Sequence, residues 1–151
     1  ANDIEQNLNH LIEWVEKEQI YKEADIISLH LPLTFKTKNM ITEEHLLMMK
    51  TDAILINTSR GGIINENDLY KVMQSGHLSG AAIDVFNKEP YDGLLKEVDR
   101  CLLTAHMGSM SKDCRARMEI EATEEAIRFL NGKSLEGAVP VEEYSIRREG
   151  L

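Results

Sequence analysis

The chain is poor in cysteine, proline and aromatic residues. Its 151 residues include two cysteines and three prolines, and aromatic side chains make up 5%. Cys101 and Cys114 fit neither a disulfide framework nor the spacing of a zinc site, which predicts a reducing, cytoplasmic setting and no bound metal. Three prolines are too few for a long proline-rich linker, so the composition favours one folded domain.

Long apolar runs and an excess of positive charge are also lacking. No stretch is long and apolar enough for a transmembrane helix, and residues Ala1 to Gln6 lack the charged and apolar regions of a signal peptide. The formal net charge is −9. Because an acidic chain repels phosphate groups, we expect neither nucleic acid nor an anionic membrane as a partner.

What the sequence does contain is an alternation of short apolar runs and helical patterns. The predicted strands are Ile12–Val15, Asp25–Pro32, Ala53–Asn57, Gly80–Phe86 and Cys101–Thr104. The predicted helices are Glu16–Glu23, Thr42–Lys50, Asn65–Ser75 and a long one that Ser111 opens and Asn131-Gly132 ends. Thr42 and Asn65 are the predicted N-caps and Gly76 the predicted left-handed C-terminal residue. The predicted apolar face of the long helix consists of Met118, Ala122, Ala126, Phe129 and Leu130. Strands separated by helices of this length are typical of βαβ units, so the fold class is α/β with a mainly parallel sheet.

Small, polar and cationic residues follow the predicted strand Ala53–Asn57. The sequence there reads Asn57-Thr58-Ser59-Arg60-Gly61-Gly62. In open α/β sheets, ligands bind outside the carboxyl ends of the strands. An arginine at such an end can offer its planar fork to a carboxylate. Taken alone, the segment fits a solvated arginine before a glycine turn equally well.

Three further polar residues interrupt or follow the later strands. Asp84 lies inside the predicted strand Gly80–Phe86, where an unpaired carboxylate is costly to bury. Glu89 follows that strand, and His106 follows the last one. Because parallel strands end at the same edge of a sheet, Arg60, Glu89 and His106 are expected to converge there.

Such a set suits one kind of chemistry. A carboxylate beside an imidazole favours its protonated form, and the pair can exchange a proton with a carbon-bound oxygen. An arginine can hold the carboxylate of the substrate while a proton and a hydride are transferred. Together these two transfers interconvert a 2-hydroxy acid and a 2-keto acid. The hydride must come from a cofactor. Taken one at a time, these residues do not indicate a catalytic site, because a histidine after a strand is usually a surface residue and a glutamate before proline is usually solvated.

Several ordered motifs resemble the D-isomer-specific 2-hydroxyacid dehydrogenases, and among them the D-3-phosphoglycerate dehydrogenases. The motifs are Ala24–Thr34, Ile56–Gly62, Ala82–Phe86 and Glu89–Tyr91. The resemblance extends from about Asp3 to Gly132. It implies a Rossmann-like NAD-binding domain over 1–135, a tail over 136–151, and oxidation or reduction of a small 2-hydroxy or 2-keto acid, with a 3-phosphoglycerate-like substrate.

The resemblance also implies roles for individual residues. Arg60 is expected to bind the substrate carboxylate, and His106 to act as acid and base with Glu89 as its partner. Asp84 is expected to contact the nicotinamide carboxamide. The remaining expected contacts to NAD are Asp3, which would bind the adenosine ribose, and His30, Leu31, Thr58, Ser59, Gly108 and Ser109.

Two departures from the family pattern bear on these roles. Ala105 stands where the family usually has a proline before the histidine, which loosens the backbone ahead of His106. No G-x-G-x-x-G turn, the element that holds the cofactor pyrophosphate, occurs in the sequence. The first strand of the nucleotide fold would then precede residue 1.

Without that strand, apolar edges of the sheet would be exposed. We therefore expect either a piece of a longer polypeptide or a chain completed by a partner, with a swapped or self-associated homodimer as the expected oligomer. The alternative function is a non-catalytic relative: a dinucleotide-sensing or scaffolding module, or an inactive fragment.

Overall fold

The structure, a computed structural model, describes residues 1–2 and 12–138. Strands and helices alternate along the described chain, in the order α1 (Lys17–Glu23), β1 (Ile26–Leu29), α2 (Glu43–Met48), β2 (Ile54–Asn57), α3 (Glu66–Ser75), β3 (Gly80–Ile83), a 3₁₀ helix (Leu94–Glu97), β4 (Cys101–Leu103) and α4 (Lys112–Leu130). The strands form one sheet in the order β1-β2-β3-β4, and every pair is parallel. The predicted α/β class with a parallel sheet is confirmed.

The chain divides into two compact units, Ala1–Ala105 and His106–Leu151. The first unit contains the sheet, the helices α1 to α3 and the 3₁₀ helix. The described part of the second unit contains α4. The division into 1–135 and 136–151, which rests on the family resemblance, stays a prediction.

One face of the sheet forms the core of the first unit. Side chains alternate between the two faces of each strand, and one set is buried: Ile27, Leu29, Leu55, Asn57, Ala81 and Ile83. They pack in one cluster with Leu46 of α2 and with Leu69, Val72 and Met73 of α3. Burial of this apolar set holds the helices on the sheet.

The opposite face of the sheet stays open to solvent in the described chain. Ile26 is 59% exposed, Ile54 38% and Leu102 65%. Parallel sheets are usually covered on both faces. The first unit therefore has helices on one side of its sheet and exposed apolar side chains on the other.

The helix boundaries follow the predicted capping residues. The side chain of Asn65 accepts hydrogen bonds from the backbone N–H groups of Asn67 and Asp68, at 3.1 and 3.2 Å. Gly76 ends α3 with φ +81, a left-handed conformation that glycine adopts without steric cost. Thr42 forms a capping box at α2.

The long helix α4 begins as predicted, because the Ser111 hydroxyl accepts a hydrogen bond from Cys114 N. Its predicted apolar face consists of Met118, Ala122, Ala126, Phe129 and Leu130. None of the residues of α4 is buried in the described structure. This apolar face is therefore presented to solvent.

Two strand predictions need correction. Ile12–Val15 does not form a strand; Val15 instead exchanges hydrogen bonds with Ala1 and Asn2. In the described chain β1 is an edge strand with β2 as its one neighbour, and residues 12–15 do not pair with its open side. β3 ends at Ile83, so Asp84 is the first residue after the strand and not part of it.

Both cysteines are free thiols. Burial raises the pKa of the Cys101 thiol to about 11, so this thiol is protonated near neutral pH. Cys101 lies against the edge of the core in β4 and is a packing residue. No helix in the described part of the chain combines the length and hydropathy needed to cross a bilayer.

Two adjacent residues of β2 test the one-sided burial of the sheet. Leu55→Ala removes a side chain with no exposed surface, and it should lower the free energy of unfolding by about 2–5 kcal/mol. Ile54→Ala, on the open face, should cost less than half as much. Urea denaturation of the 151-residue chain measures both changes, and equal losses would show that the open face is in fact covered.

Candidate active site

The candidate site is built on the carboxyl ends of β2 and β3. Asn57 and Ile83, the last residues of these strands, are register partners. The N–H of Asp84 donates to the carbonyl of Asn57 at 3.0 Å, so the hydrogen bonding between β2 and β3 continues to the point where both segments leave the sheet. The segment 58–62 (the Arg60 loop) and the segment 84–91 (the Glu89 loop) therefore start side by side.

The side chain of Asn57 shapes the Arg60 loop. Its Oδ1 accepts hydrogen bonds from Ser59 N at 3.1 Å and from Ser59 Oγ at 2.9 Å, and its Nδ2 donates to the carbonyl of Arg60 at 2.9 Å. This is an Asx-type turn, in which a side chain replaces a backbone group of the turn. The turn leaves Arg60 exposed, with Nη1 donating to the Ser59 carbonyl at 2.6 Å.

Gly61 brings the two loops into direct contact. A Cβ at this position would lie 1.9 Å from the carbonyl oxygen of Phe86 and 2.7 Å from Asn87 N. Such distances lie far inside van der Waals contact, so a side chain at residue 61 would force the loops apart. Gly62 follows with φ +77, a left-handed conformation that glycine adopts without steric cost.

The Glu89 loop is fixed by its own side chains and by α3. Phe86 N donates to Glu89 Oε1 at 3.1 Å, and Asn87 N donates to Glu66 Oε1 at 2.6 Å. The rings of Phe86 and Tyr91 stack with centroids 4.1 Å apart. Partial burial raises the pKa of the Tyr91 phenol, which accepts a hydrogen bond from Leu95 N and stays neutral. The loop thus holds the exposed Glu89 close to its own backbone.

Asp84 is a carboxylate that the first unit buries at the root of the Glu89 loop. It is 9% exposed, and its Oδ1 accepts a hydrogen bond from the Thr104 hydroxyl at 2.5 Å. This hydrogen bond offsets part of the cost of burying a polar side chain. Because Thr104 follows β4, the bond also ties the ends of β3 and β4 together.

His106 belongs to the second unit, together with Gly108 and Ser109. Its φ is +52, a left-handed conformation that non-glycine residues seldom adopt and that clusters at functional sites. A Cβ on Gly108 would meet no atom within 4 Å. The approach of His106 to Arg60 and Glu89 stays a prediction.

The other predicted cofactor residues lie after neighbouring strands. His30 and Leu31 follow β1, and the His30 ring bonds Ser28 Oγ at 2.9 Å. Thr58 and Ser59 follow β2, so four expected contacts and Asp84 share the carboxyl edge of the sheet. Asp3 lies outside the described residues.

These groups fit one half of a dinucleotide. Hydroxyl, backbone and carboxylate groups at the carboxyl ends of three neighbouring strands suit the nicotinamide and its ribose. Asp84 in particular is a buried carboxylate at that edge, where it can accept a hydrogen bond from a carboxamide. The glycine-rich turn suited to the pyrophosphate is not part of the 151 residues.

Sequence reasoning missed two residues of this site. The sequence places Asn57 and Thr104 at the ends of the predicted strands Ala53–Asn57 and Cys101–Thr104 and assigns a role to neither. The available signal was a polar side chain at the end of each strand. The amide of Asn57 is on the last residue of β2, and the hydroxyl of Thr104 is on the first residue after β4. Such groups must find partners when they are buried.

The family is established by direct comparison. The model described as "D-isomer specific 2-hydroxyacid dehydrogenase, NAD binding domain" matches residues 1–108. The chain belongs to this family. NAD, the cofactor predicted from the sequence, is the one that the family description states.

Individual relatives agree with this assignment. Glyoxylate reductase of Korarchaeum cryptofilum is 39% identical over 151 residues, which are 99% of this chain and 45% of that protein. D-3-phosphoglycerate dehydrogenase of Bacillus subtilis is 36% identical over 123 residues, 81% of this chain and 23% of that protein. The chain spans less than half the length of both curated relatives.

A solved structure confirms the fold. The D-isomer specific 2-hydroxyacid dehydrogenase from Lactobacillus delbrueckii ssp. bulgaricus, in its NAD-complexed form, superposes with a TM-score of 0.83 at 27% identity. The match covers 93% of this chain and 48% of that one. The predicted Rossmann-like fold is therefore correct.

Gly61→Ala tests the contact between the two loops. The added methyl group must displace the Phe86–Asn87 peptide, and this overpacking should cost about 1–3 kcal/mol. Urea denaturation measures the cost, and amide hydrogen exchange should speed up in the Glu89 loop. Gly108→Ala is the matched control, with a change below about 0.5 kcal/mol. Equal stability of the two variants would contradict the close approach.

Proposed function

We propose that this chain is the larger part of the NAD-binding domain of an enzyme that interconverts a D-2-hydroxy acid and a 2-keto acid. The observation that carries the proposal is the pairing of the Arg60 loop with the Glu89 loop, joined at Gly61, in a chain of this family. The two loops, far apart in sequence, leave the sheet side by side at its carboxyl edge, where α/β proteins bind ligands.

Arg60 is the proposed ligand for the substrate carboxylate. Its side chain is exposed at the carboxyl edge, on a loop whose backbone is fixed by Asn57 and Gly61. A guanidinium offers two parallel N–H groups to a carboxylate, which fixes the orientation of a 2-keto acid as well as its position.

His106 and Glu89 are the proposed proton-transfer pair. A carboxylate next to the imidazole orients the ring and favours its protonated form. In the oxidative direction His106 takes the proton of the substrate hydroxyl as the hydride leaves the same carbon; in the reductive direction it returns the proton to the carbonyl oxygen. NAD supplies the acceptor or donor of the hydride.

Asp84, Thr58 and Ser59 are the proposed contacts to the nicotinamide end of NAD, with His30 and Leu31 on the neighbouring strand end. Asp84 is held by Thr104, so its carboxylate keeps one orientation. A fixed acceptor for the carboxamide sets which face of the nicotinamide ring is turned toward the substrate. Gly108, Ser109 and Asp3 complete the proposed set.

The finer proposal concerns the substrate. The motifs that resemble D-3-phosphoglycerate dehydrogenases, together with the Bacillus subtilis relative, support a 3-phosphoglycerate-like acid. The higher identity to a glyoxylate reductase supports glyoxylate as the second candidate. The ratio of kcat/KM for 3-phosphohydroxypyruvate and for glyoxylate decides between them.

Two substitutions test the proposed roles in the complete gene product, by steady-state reduction of the preferred 2-keto acid with NADH. Arg60→Ala should raise KM for the acid and lower kcat/KM by about 10–100-fold, because a charge-assisted pair is lost. His106→Ala should lower kcat by about 10²–10⁴-fold, because the acid and base is lost.

The controls separate these roles from general effects of charge. Lys88→Ala removes an exposed cation from the Glu89 loop and should leave both constants nearly unchanged. Arg60→Lys keeps the charge but not the fork, so it should recover only part of the affinity. If the gene product binds NADH but reduces neither acid, the dinucleotide-sensing alternative is correct and the enzymatic proposal is wrong.

We also infer that the protein is a homodimer. Support comes from the exposed apolar side chains of α4, of which Phe129 is 71% and Leu130 81% exposed, since patches of this kind usually mark an interface. Sedimentation equilibrium of the complete gene product should give twice the subunit mass, and a monomer at micromolar concentration would refute the inference. The cytoplasmic location stays a prediction.

A further inference from the structure

Asn57 is a buried polar side chain to which no step of the proposed chemistry assigns a role. The residue is 2% exposed and lies on the core face of β2, in the same row as Leu55. An apolar residue would ordinarily occupy such a position, because burying an amide costs free energy unless its hydrogen bonds are made. The identity of residue 57 therefore needs a reason beyond the core.

The hydrogen bonds of this amide all point to the Arg60 loop. Oδ1 binds both the N–H and the hydroxyl of Ser59, and Nδ2 binds the carbonyl of Arg60. The amide thus holds the residue before Arg60 and the carbonyl of Arg60 itself. Because the amide is enclosed by the core, it transmits the rigidity of the sheet to the backbone that carries the guanidinium.

On the other side of Arg60, Gly61 lies against the Phe86–Asn87 peptide. The backbone of Arg60 is therefore held on both sides, by the buried amide of Asn57 and by Gly61, which contacts the Glu89 loop. Both residues act on the backbone and not on the exposed guanidinium. They fix the backbone position from which the arginine side chain extends.

From this geometry we propose that Asn57 is a positioning residue for the substrate carboxylate: its buried amide sets the place and direction of Arg60. The inference rests on the proposed role of Arg60. Small errors in the placement of a binding group cost much of its effect, so the loss of the amide should weaken use of the 2-keto acid through Arg60 and not through any contact of residue 57 with substrate.

A double-mutant cycle in the complete gene product tests this coupling. Asn57→Ala should raise KM for the 2-keto acid by about 10-fold while kcat falls much less, since the proton-transfer pair is untouched. In the Arg60→Ala background, Asn57→Ala should change KM by less than about 2-fold, because the residue it acts through is already gone.

The matched control is Asn65→Ala. The side chain of Asn65 likewise hydrogen-bonds the backbone near the end of a loop, where it accepts from two N–H groups at the start of α3. Its loss should lower the melting temperature without changing KM. Amide hydrogen exchange adds an independent readout: Ser59 N–H should lose protection in Asn57→Ala and keep it in Asn65→Ala.

The outcomes separate this inference from the function on which it rests. If Arg60→Ala leaves KM unchanged, the role of Arg60 is wrong and the inference fails with it. If Arg60→Ala raises KM but Asn57→Ala does not, or if the two effects add fully, only the positioning role is refuted. Should Asn57→Ala fail to fold, the isosteric Asn57→Asp keeps acceptors for Ser59 but gives no amide N–H to the Arg60 carbonyl, and the same rise in KM is expected.

Discussion

The candidate site depends on the parallel pairing of β2 and β3 up to their last residues. The N–H of Asp84 donates to the carbonyl of Asn57, so the two strands end at the same level of the sheet. The segment that follows β2 carries Arg60, and the segment that follows β3 carries Glu89. A one-residue slip in the β2–β3 register would break the match of Asn57 with Ile83, and the two loops would then leave the sheet at different levels.

Two buried polar side chains at these strand ends make the arrangement rigid. Asn57 and Asp84 are the buried polar residues of the described chain, and both are hydrogen-bonded, to the Arg60 loop and to Thr104. Moving the hydrogen-bond partner away from a buried polar group costs free energy, so each loop has one strongly preferred position. The apolar core beneath supplies the free energy of folding, and the polar pair at the edge determines where the functional loops lie.

Local signals predicted much of this fold correctly. Asn65 and Gly76 bound α3 as expected because capping depends on neighbouring residues alone. Ile12–Val15 was wrong as a strand because pairing requires a neighbour that the sequence pattern does not reveal. The side-by-side start of the Arg60 and Glu89 loops followed from parallel topology, whereas the contact at Gly61 and the bonds of Asn57 and Thr104 required coordinates. His106 begins the second compact unit, so the strand order of the first unit does not predict its position.

In the proposed function, the residues of this sheet edge take part in hydride transfer to a 2-keto acid. The most direct measurement uses NADH deuterated at C4 on the transferring face, incubated with the complete gene product and glyoxylate or 3-phosphohydroxypyruvate. We expect a 2-hydroxy acid with deuterium at C2, of D configuration when the product is chiral, and a much lower yield of this product in Arg60→Ala. A hydroxy acid without deuterium at C2, or one of L configuration, would contradict the proposed function.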